Sequence, residues 1–330
     1  MADDTQTAPT NYRGEPLITS RFDTTTTAEE VIADKDLSSR NAIVTGGGSG
    51  IGREIARGLA MGGAEVVIAD VDIDTATATA GAINSELGRD TVTARKVDLA
   101  AFASIDTFAD DYLGSGTKLD ILINNAGVMA PPLRRTAEGH ELQLGINHLG
   151  HYRLTQGLLP ALRSGDGARV VCVSSIGHRR SDIIYDDPDY LTRPYDRWEA
   201  YGQSKTACAL ITIALGERLS GDGVFVNTMN PGGSMTGLQR FLTEEEQREL
   251  GWIDENGKVL ARWRTPAQCA ATSVWIATAD ETRGVSGRYF EDCNESATWT
   301  PERPMNGTLP HLNRENAERL HALTERLVAG

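Results

Sequence analysis

The chain is poor in positive charge. Against 46 Asp and Glu it has 32 Lys and Arg, a net charge of −14 over 330 residues. Binding to phosphate backbones or anionic lipid needs clustered Lys and Arg, so the charge argues against nucleic acid and an anionic membrane surface as partners. No run of about 18 apolar residues occurs, so no spanning helix is expected. The opening stretch, MADDTQTAPTNY, is acidic and polar and lacks the layout of a secretory signal, which makes the cytoplasm the expected location. The only cysteines, Cys172, Cys208, Cys269 and Cys293, are scattered and form no CxxC pair. Free buried thiols are the expectation. The six histidines show no metal-ligand spacing either, so no metal site is expected. Internal repeats and low-complexity tracts are also missing.

What is present is an alternation. Short apolar runs recur from residue 41: Ala42–Val44, Glu65–Ala69, Thr91–Ala94, Leu119–Ile123, Arg169–Val173 and Val224–Asn227. Helix-length segments separate them. Strands apolar on both faces belong to a parallel sheet covered by helices. The pattern predicts a single-domain α/β fold, a Rossmann-type doubly wound parallel sheet. An N-terminal arm (1–37) precedes it, with a short helix opened by the capping-box pattern Thr27–Glu30. The catalytic domain covers 38–300. Two polar, aromatic stretches interrupt the rhythm, an insert at 176–200 and a segment at 234–265 whose charged helix starts at Thr243. The tail (301–330) places Ala317, Leu320, Leu323, Leu327 and Val328 at helical spacing, an amphipathic helix.

The first run leads into Thr45-Gly46-Gly47-Gly48-Ser49-Gly50-Ile51-Gly52, and a helix pattern follows from Arg53. A glycine turn between strand and helix lets backbone approach a diphosphate closely, and the helix N-terminus offers it free N–H groups. Asp70 closes the second strand, where a carboxylate accepts both hydroxyls of an adenosine ribose and repels a 2′-phosphate. Neither Ser49 nor Val71 offers a positive charge, so NAD is the expected cofactor. Asp98, next to Leu99 after the third strand, is a candidate acceptor for the adenine amino group.

Tyr201-Gly202-Gln203-Ser204-Lys205 sets a phenol and an ammonium on one helix face. Hydride transfer at a carbinol carbon requires proton transfer at its oxygen, and a neighbouring cation favours the phenolate that carries it out. Tyr185, Tyr190, Tyr195 and Trp198 in the insert either line a bulky substrate site or cover the core.

Taken together, Thr45-Gly46-x-x-x-Gly50-Ile51-Gly52, Asn124-Asn125-Ala126-Gly127, Ser174-Ser175, Tyr201-x-x-x-Lys205 and Asn230-Pro231-Gly232 resemble the short-chain dehydrogenase/reductases. Ala28–Val31, Ile146–Tyr152, Gly287–Cys293 and Ala317–Leu320 resemble its retinol-dehydrogenase and WW-domain-oxidoreductase branch. The resemblance runs from about residue 22 to the end of the chain. It implies that Ser175 bonds the substrate oxygen, Tyr201 exchanges the proton and Lys205 binds the nicotinamide ribose. Asn147 would hold a water linking Lys205 to solvent. Asn125, Ala126 and Gly127 would line the adenosine side, and Pro231, Gly232, Gly233 and Thr236 the carboxamide. On the residues alone Ser174 competes with Ser175. Two departures stand out: many members of the branch carry Arg at the position of Asp70 and use NADP, and no anchor like that of the retinoid enzymes is expected here.

The expected activity is NAD-dependent interconversion of a small-molecule alcohol, hydrophobic and cyclic or aromatic, with its carbonyl. A nucleotide-sugar epimerase or dehydratase and a non-enzymatic NAD-binding regulator are the alternatives. The helices carrying Asn147 and Tyr201 are apolar beyond the face a sheet covers, over His151–Leu159 and Ala207–Leu215. A homodimer or homotetramer burying those faces is expected, the alternative being that the C-terminal helix folds back over them within a single chain.

Overall fold

The computed structural model describes residues 10–261, 263–301 and 306–329. In chain order its elements are α1 (Ala28–Ile32), β1 (Asn41–Thr45), α2 (Gly50–Met61), β2 (Glu65–Asp70), α3 (Ile73–Leu87), β3 (Val92–Lys96), α4 (Phe102–Gly114) and β4 (Ile121–Asn124). Then come α5 (Leu142–Leu144), a π-helical turn (Gly145–Gly150), α6 (His151–Gly157), α7 (Leu159–Arg163), β5 (Ala168–Val173), α8 (Arg197–Leu219) and β6 (Val224–Asn230). The chain closes with α9 (Glu244–Glu249), α10 (Pro266–Thr278), β7 (Tyr289–Glu291), β8 (Asn294–Glu295) and α11 (Arg314–Val328).

The strands form one sheet in the order β3-β2-β1-β4-β5-β6-β7-β8, parallel except for the last pair. Order reverses between β1 and β4. Crossovers therefore lie on opposite faces to either side, and a crevice opens at the carboxyl ends of these strands. β5 is buried along its whole length, as the unbroken apolar run predicts. One core packs α1, α2, α3 and α10 on the sheet, with Trp275 against Phe290 at 5.5 Å. The other packs α4, α6, α8 and α11 on the opposite face.

The Thr27 cap forms as the sequence pattern requires. Its hydroxyl accepts from Glu30 N, and the Glu30 carboxylate accepts from Thr27 N at 2.7 Å. Thr243 caps the charged helix α9 in the same way. The tail forms the expected helix, α11, which Asn313 caps by accepting from Asn316 N. All four cysteines are free and buried. No helix among the described residues is long and apolar enough to cross a membrane.

One expectation loses its physical ground. The face of α8 left open for a second copy of the chain is covered by α11 of the same chain. Ala207 through Leu215 are all buried, and Ala317, Leu320 and Leu323 pack into the same core. Polar contacts seat the helix: His148 Nε2 lies 2.7 Å from Thr324 Oγ1, and Arg218 pairs with Glu318 at 2.8 Å. The exposed large apolar residues, Val71, Leu133, Leu191 and Val259, are widely spaced in sequence.

Candidate active site

The crevice is a cleft of about 1410 Å³ running across the ends of β1, β4, β5 and β6. That exceeds the 300–1,000 Å³ typical of a single small ligand, so two reactants fit side by side. Every site residue expected from the sequence lines it except Gly48 and Asn147.

At one end lies the glycine turn. Gly46 has φ +63°, and a Cβ there would stand 2.9 Å from Ala126 Cα. A Cβ on Gly52 would stand 2.2 Å from Gly46 O, so only glycine lets α2 start this close to β1. Ser49 caps α2 without a side-chain bond, leaving the first-turn N–H groups open toward the cleft. Gly48 misses the wall because its N–H turns back to donate to Asp70 Oδ2 at 3.0 Å. Asp70 also accepts from Asp72 N, which fixes the carboxylate at the cleft edge. Asp98 lines the same end while accepting from Ala100 N. Thr45 Oγ1 accepts from Asn125 N and Ala126 N at 2.9 and 3.0 Å, tying the β4 loop to β1. An open helix N-terminus and a fixed carboxylate one strand away match the diphosphate and ribose of a dinucleotide.

At the other end stand Ser175, Tyr201 and Lys205. Tyr201 and Lys205 are each 5% exposed. The ammonium lies 5.9 Å from the centre of the Tyr201 ring and donates to Val173 O at 2.9 Å. The two serines separate here. Ser174 is buried and donates to Lys205 O, locking α8 to β5. Ser175 faces the cleft, its hydroxyl accepting from Gly177 N at 3.0 Å. Behind it, His178 Nδ1 lies 2.7 Å from Ser175 O and Tyr289 OH lies 3.3 Å from His178 Nδ1. Burial pushes the His178 pKa down to about 4, so the ring is neutral at physiological pH.

Asn147 is held by its own side-chain bonds. It sits in the π-helical turn, 2% exposed, with its amide fully used. Oδ1 accepts from Val128 N, and Nδ2 donates to Val128 O and Ser204 Oγ. Its backbone carbonyl accepts from Cys208 Sγ at 3.1 Å and lies 3.0 Å from His151 Nδ1. Asn147 thus braces the wall behind Lys205. It also borders a small cavity of about 10 Å³, near the size of one water.

The insert divides its aromatics. Trp198 lines the cleft, with its ring 6.4 Å from that of Tyr201. Tyr185 bonds to Asn316 O on α11, and Tyr195 hydroxyl bonds to Gln143 and Glu141. Tyr190 is buried against Tyr195. These three pin the insert to the body.

Trp252 and Trp263 extend the wall, with ring spacings of 6.1 Å from Trp198 to Trp252 and 5.2 Å from Trp252 to Trp263. Both lie in the stretch that broke the α/β rhythm, the one sequence signal that pointed to them. Arg264 also lines the cleft. It pairs with Asp292 at 2.6 Å and backs Gly232, where a Cβ would meet the guanidinium at 3.0 Å. Nothing in the sequence marked Arg264, Arg180 or Arg240 as cleft residues.

Comparison with known proteins agrees with this geometry. The family model for short chain dehydrogenases matches residues 40–247. A "probable oxidoreductase" of Streptomyces lividans is 46% identical over 86% of this chain and 96% of its own length. Human retinol dehydrogenase 13 is 37% identical over 88% of this chain and 85% of its own. Among solved structures, Pseudomonas aeruginosa RhlG in complex with NADP is 28% identical with TM-score 0.61, covering 77% of this chain and 95% of that one. A 3-ketoacyl-(acyl-carrier-protein) reductase of Brucella melitensis complexed with NADH is 26% identical with TM-score 0.58, covering 77% and 97%. The chain belongs to the short chain dehydrogenase family of oxidoreductases, in its retinol-dehydrogenase-like branch.

Proposed function

We propose that the protein interconverts an alcohol and its carbonyl with NAD, Tyr201 exchanging the proton. The observation that carries the reading is the convergence of Ser175, Tyr201 and Lys205 at one end of a cleft whose other end holds a helix N-terminus and Asp70. The cofactor, when bound, supplies the acceptor for hydride. The glycine turn and α2 would hold its diphosphate, Asp70 its adenosine ribose, and the loop Pro231–Thr236 its carboxamide end. Asp70 favours NAD because its charge opposes a 2′-phosphate.

The chain's own residues move the proton. Ser175 orients the substrate oxygen toward Tyr201. Tyr201 accepts the hydroxyl proton as hydride leaves the carbon, and returns it in the reverse direction. The Lys205 ammonium stabilises the negative charge that develops on the phenol oxygen. Burial excludes water from the exchange. The indole wall of Trp198, Trp252 and Trp263 suits a ring-bearing apolar substrate, as do the relatives named for retinol and polyprenol. The test is NADH formation over a panel of steroid, terpenoid, aryl and aliphatic alcohols, with Tyr201→Phe alongside. The variant should lose at least about 100-fold in kcat, the scale of general acid–base catalysis, and keep its affinity for NAD. Activity above a tenth of wild type would remove Tyr201 from the role.

A further inference from the structure

We infer that the substrate carries an anionic group, a carboxylate, on its apolar body, held by Arg180 with Arg240 beside it. The inference rests on the alcohol–carbonyl reading above and names the class of alcohol.

The charges of the cleft are segregated. Its acids Asp70, Asp72 and Asp98 all stand at the adenosine end. The substrate end holds one acid, Asp292, and Arg264 already neutralises it. Arg180 and Arg240 line the cleft too, Arg180 beside Gly202 on the Tyr201 side. Among the described residues, neither has a carboxylate within ion-pair distance. The Arg180 guanidinium lies 4.8 Å from the centre of the Trp198 ring, which stands edge-on to Tyr201. The Arg240 guanidinium lies 4.8 Å from the Phe241 ring and spends one N–H on Gly237 O. Arg134 approaches the same Phe241 ring at 5.6 Å, adding a like charge beside Arg240. On a chain with net charge −14, acids are plentiful, yet among the described residues none is paired with Arg180 or Arg240.

A guanidinium seated on an aromatic face keeps its N–H edge free for a planar anion, and the fork matches a carboxylate. Arg180 therefore stands one indole ring from the proton-transfer residue with donors to offer. Burial without a counter-charge pushes the Arg240 pKa down, a cost that an incoming anion would remove. The cofactor's diphosphate does not account for Arg180. That anion is read at the glycine turn, whereas Arg180 packs beside Gly202 on the Tyr201 side. Arg240 is nearer the turn, because it follows Thr236, which stands 3.3 Å from where a Cβ on Gly50 would lie.

The probes are 6-(hydroxymethyl)-2-naphthoate and its methyl ester, alike in ring and reacting carbon but differing in charge. With the full chain and NAD, kcat/KM for the acid should exceed that for the ester at least tenfold, and the ratio should shrink with added salt. In Arg180→Gln the ratio should fall toward one through a higher KM for the acid, with KM for NAD unchanged. An ester oxidised as well as the acid, or a ratio untouched by Arg180→Gln, overturns the inference and leaves the alcohol reading standing. If Arg240→Gln raises only KM for NAD, Arg240 belongs to the cofactor and its part in the inference fails. Binding gives an independent readout should neither probe turn over. Quenching of tryptophan fluorescence by 2-naphthoate should occur at lower concentration than by methyl 2-naphthoate, and Arg180→Gln should abolish the difference. Equal quenching overturns the inference. Failure of the whole alcohol panel to form NADH is a separate result and counts against the proposed function instead.

Discussion

Gly177→Ala should disable the enzyme while leaving it folded and able to bind its cofactor. Gly177 fills the gap between Ser175 and Tyr201. A Cβ at this position would stand 2.6 Å from Tyr201 Cε1, 2.9 Å from Cδ1 and 3.3 Å from Ser175 Oγ. Carbon atoms pack at roughly 3.5–4.0 Å, so the ring contact falls short by about 1 Å. Neither neighbour yields freely. Tyr201 is on the buried face of α8, and Ser175 is held by the Gly177 amide and by the strand before it. The ring must tilt, and the phenol oxygen moves with it. A displacement of this size at a reacting group costs on the order of 10²-fold in rate. Overpacking by one methyl costs about 1–3 kcal/mol, a drop of several degrees in Tm for a chain of this size. The assay is steady-state NADH formation with the best alcohol of the panel, together with NAD affinity and thermal melting. We expect kcat to fall 10- to 100-fold, near-normal NAD affinity and a cooperative melt. More than half of wild-type kcat would refute the reasoning, since it would show that the Ser175–Tyr201 gap has slack.

Wild type should use NAD at least tenfold better than NADP by kcat/KM, about 1.4 kcal/mol, and Asp70→Ala should narrow that ratio. Equal use of NADP by the wild type would show that the Asp70 charge does not reach the 2′ position. Stability should fall as pH drops below about 6.5. Burial depresses the folded pKa of His148 to about 3 and of His151 and His178 to about 4, so in that window the unfolded chain binds more protons. His140, raised by Asp189, works the other way, its contribution being lost as pH rises through its folded value. Burial lowers His311 and His321 as well, so five depressed histidines against one raised predict a lower Tm at pH 5 than at pH 8, and a flat profile would contradict this. Light scattering should give a mass near the 35.6 kDa of one chain, because α11 already covers the apolar face of α8. A dimer at micromolar concentration would mean that another surface pairs.

The order of elements, the glycine turn, the cap at Thr27, the helix start at Thr243, the tail helix and the Tyr201–Lys205 pair were legible in the sequence. Each is local: a strand apolar on both faces, a cap or a helical i,i+4 spacing is set by residues a few positions apart. The choice between Ser174 and Ser175 was not local. It depends on which hydroxyl the Lys205 carbonyl takes, and that required α8 to be packed on β5. The same holds for Asn147, whose amide is consumed by Val128 and Ser204, residues 19 and 57 positions away. The aromatics of the insert could be sorted into Trp198 at the cleft and Tyr185, Tyr190 and Tyr195 on the body only once α11 and the β4 loop were in place. The cover over α8 shows the limit best. An apolar helix face states that something must bury it and is silent about what. That the cover is the chain's own tail was decided by three-dimensional reach, through His148 to Thr324 and Arg218 to Glu318.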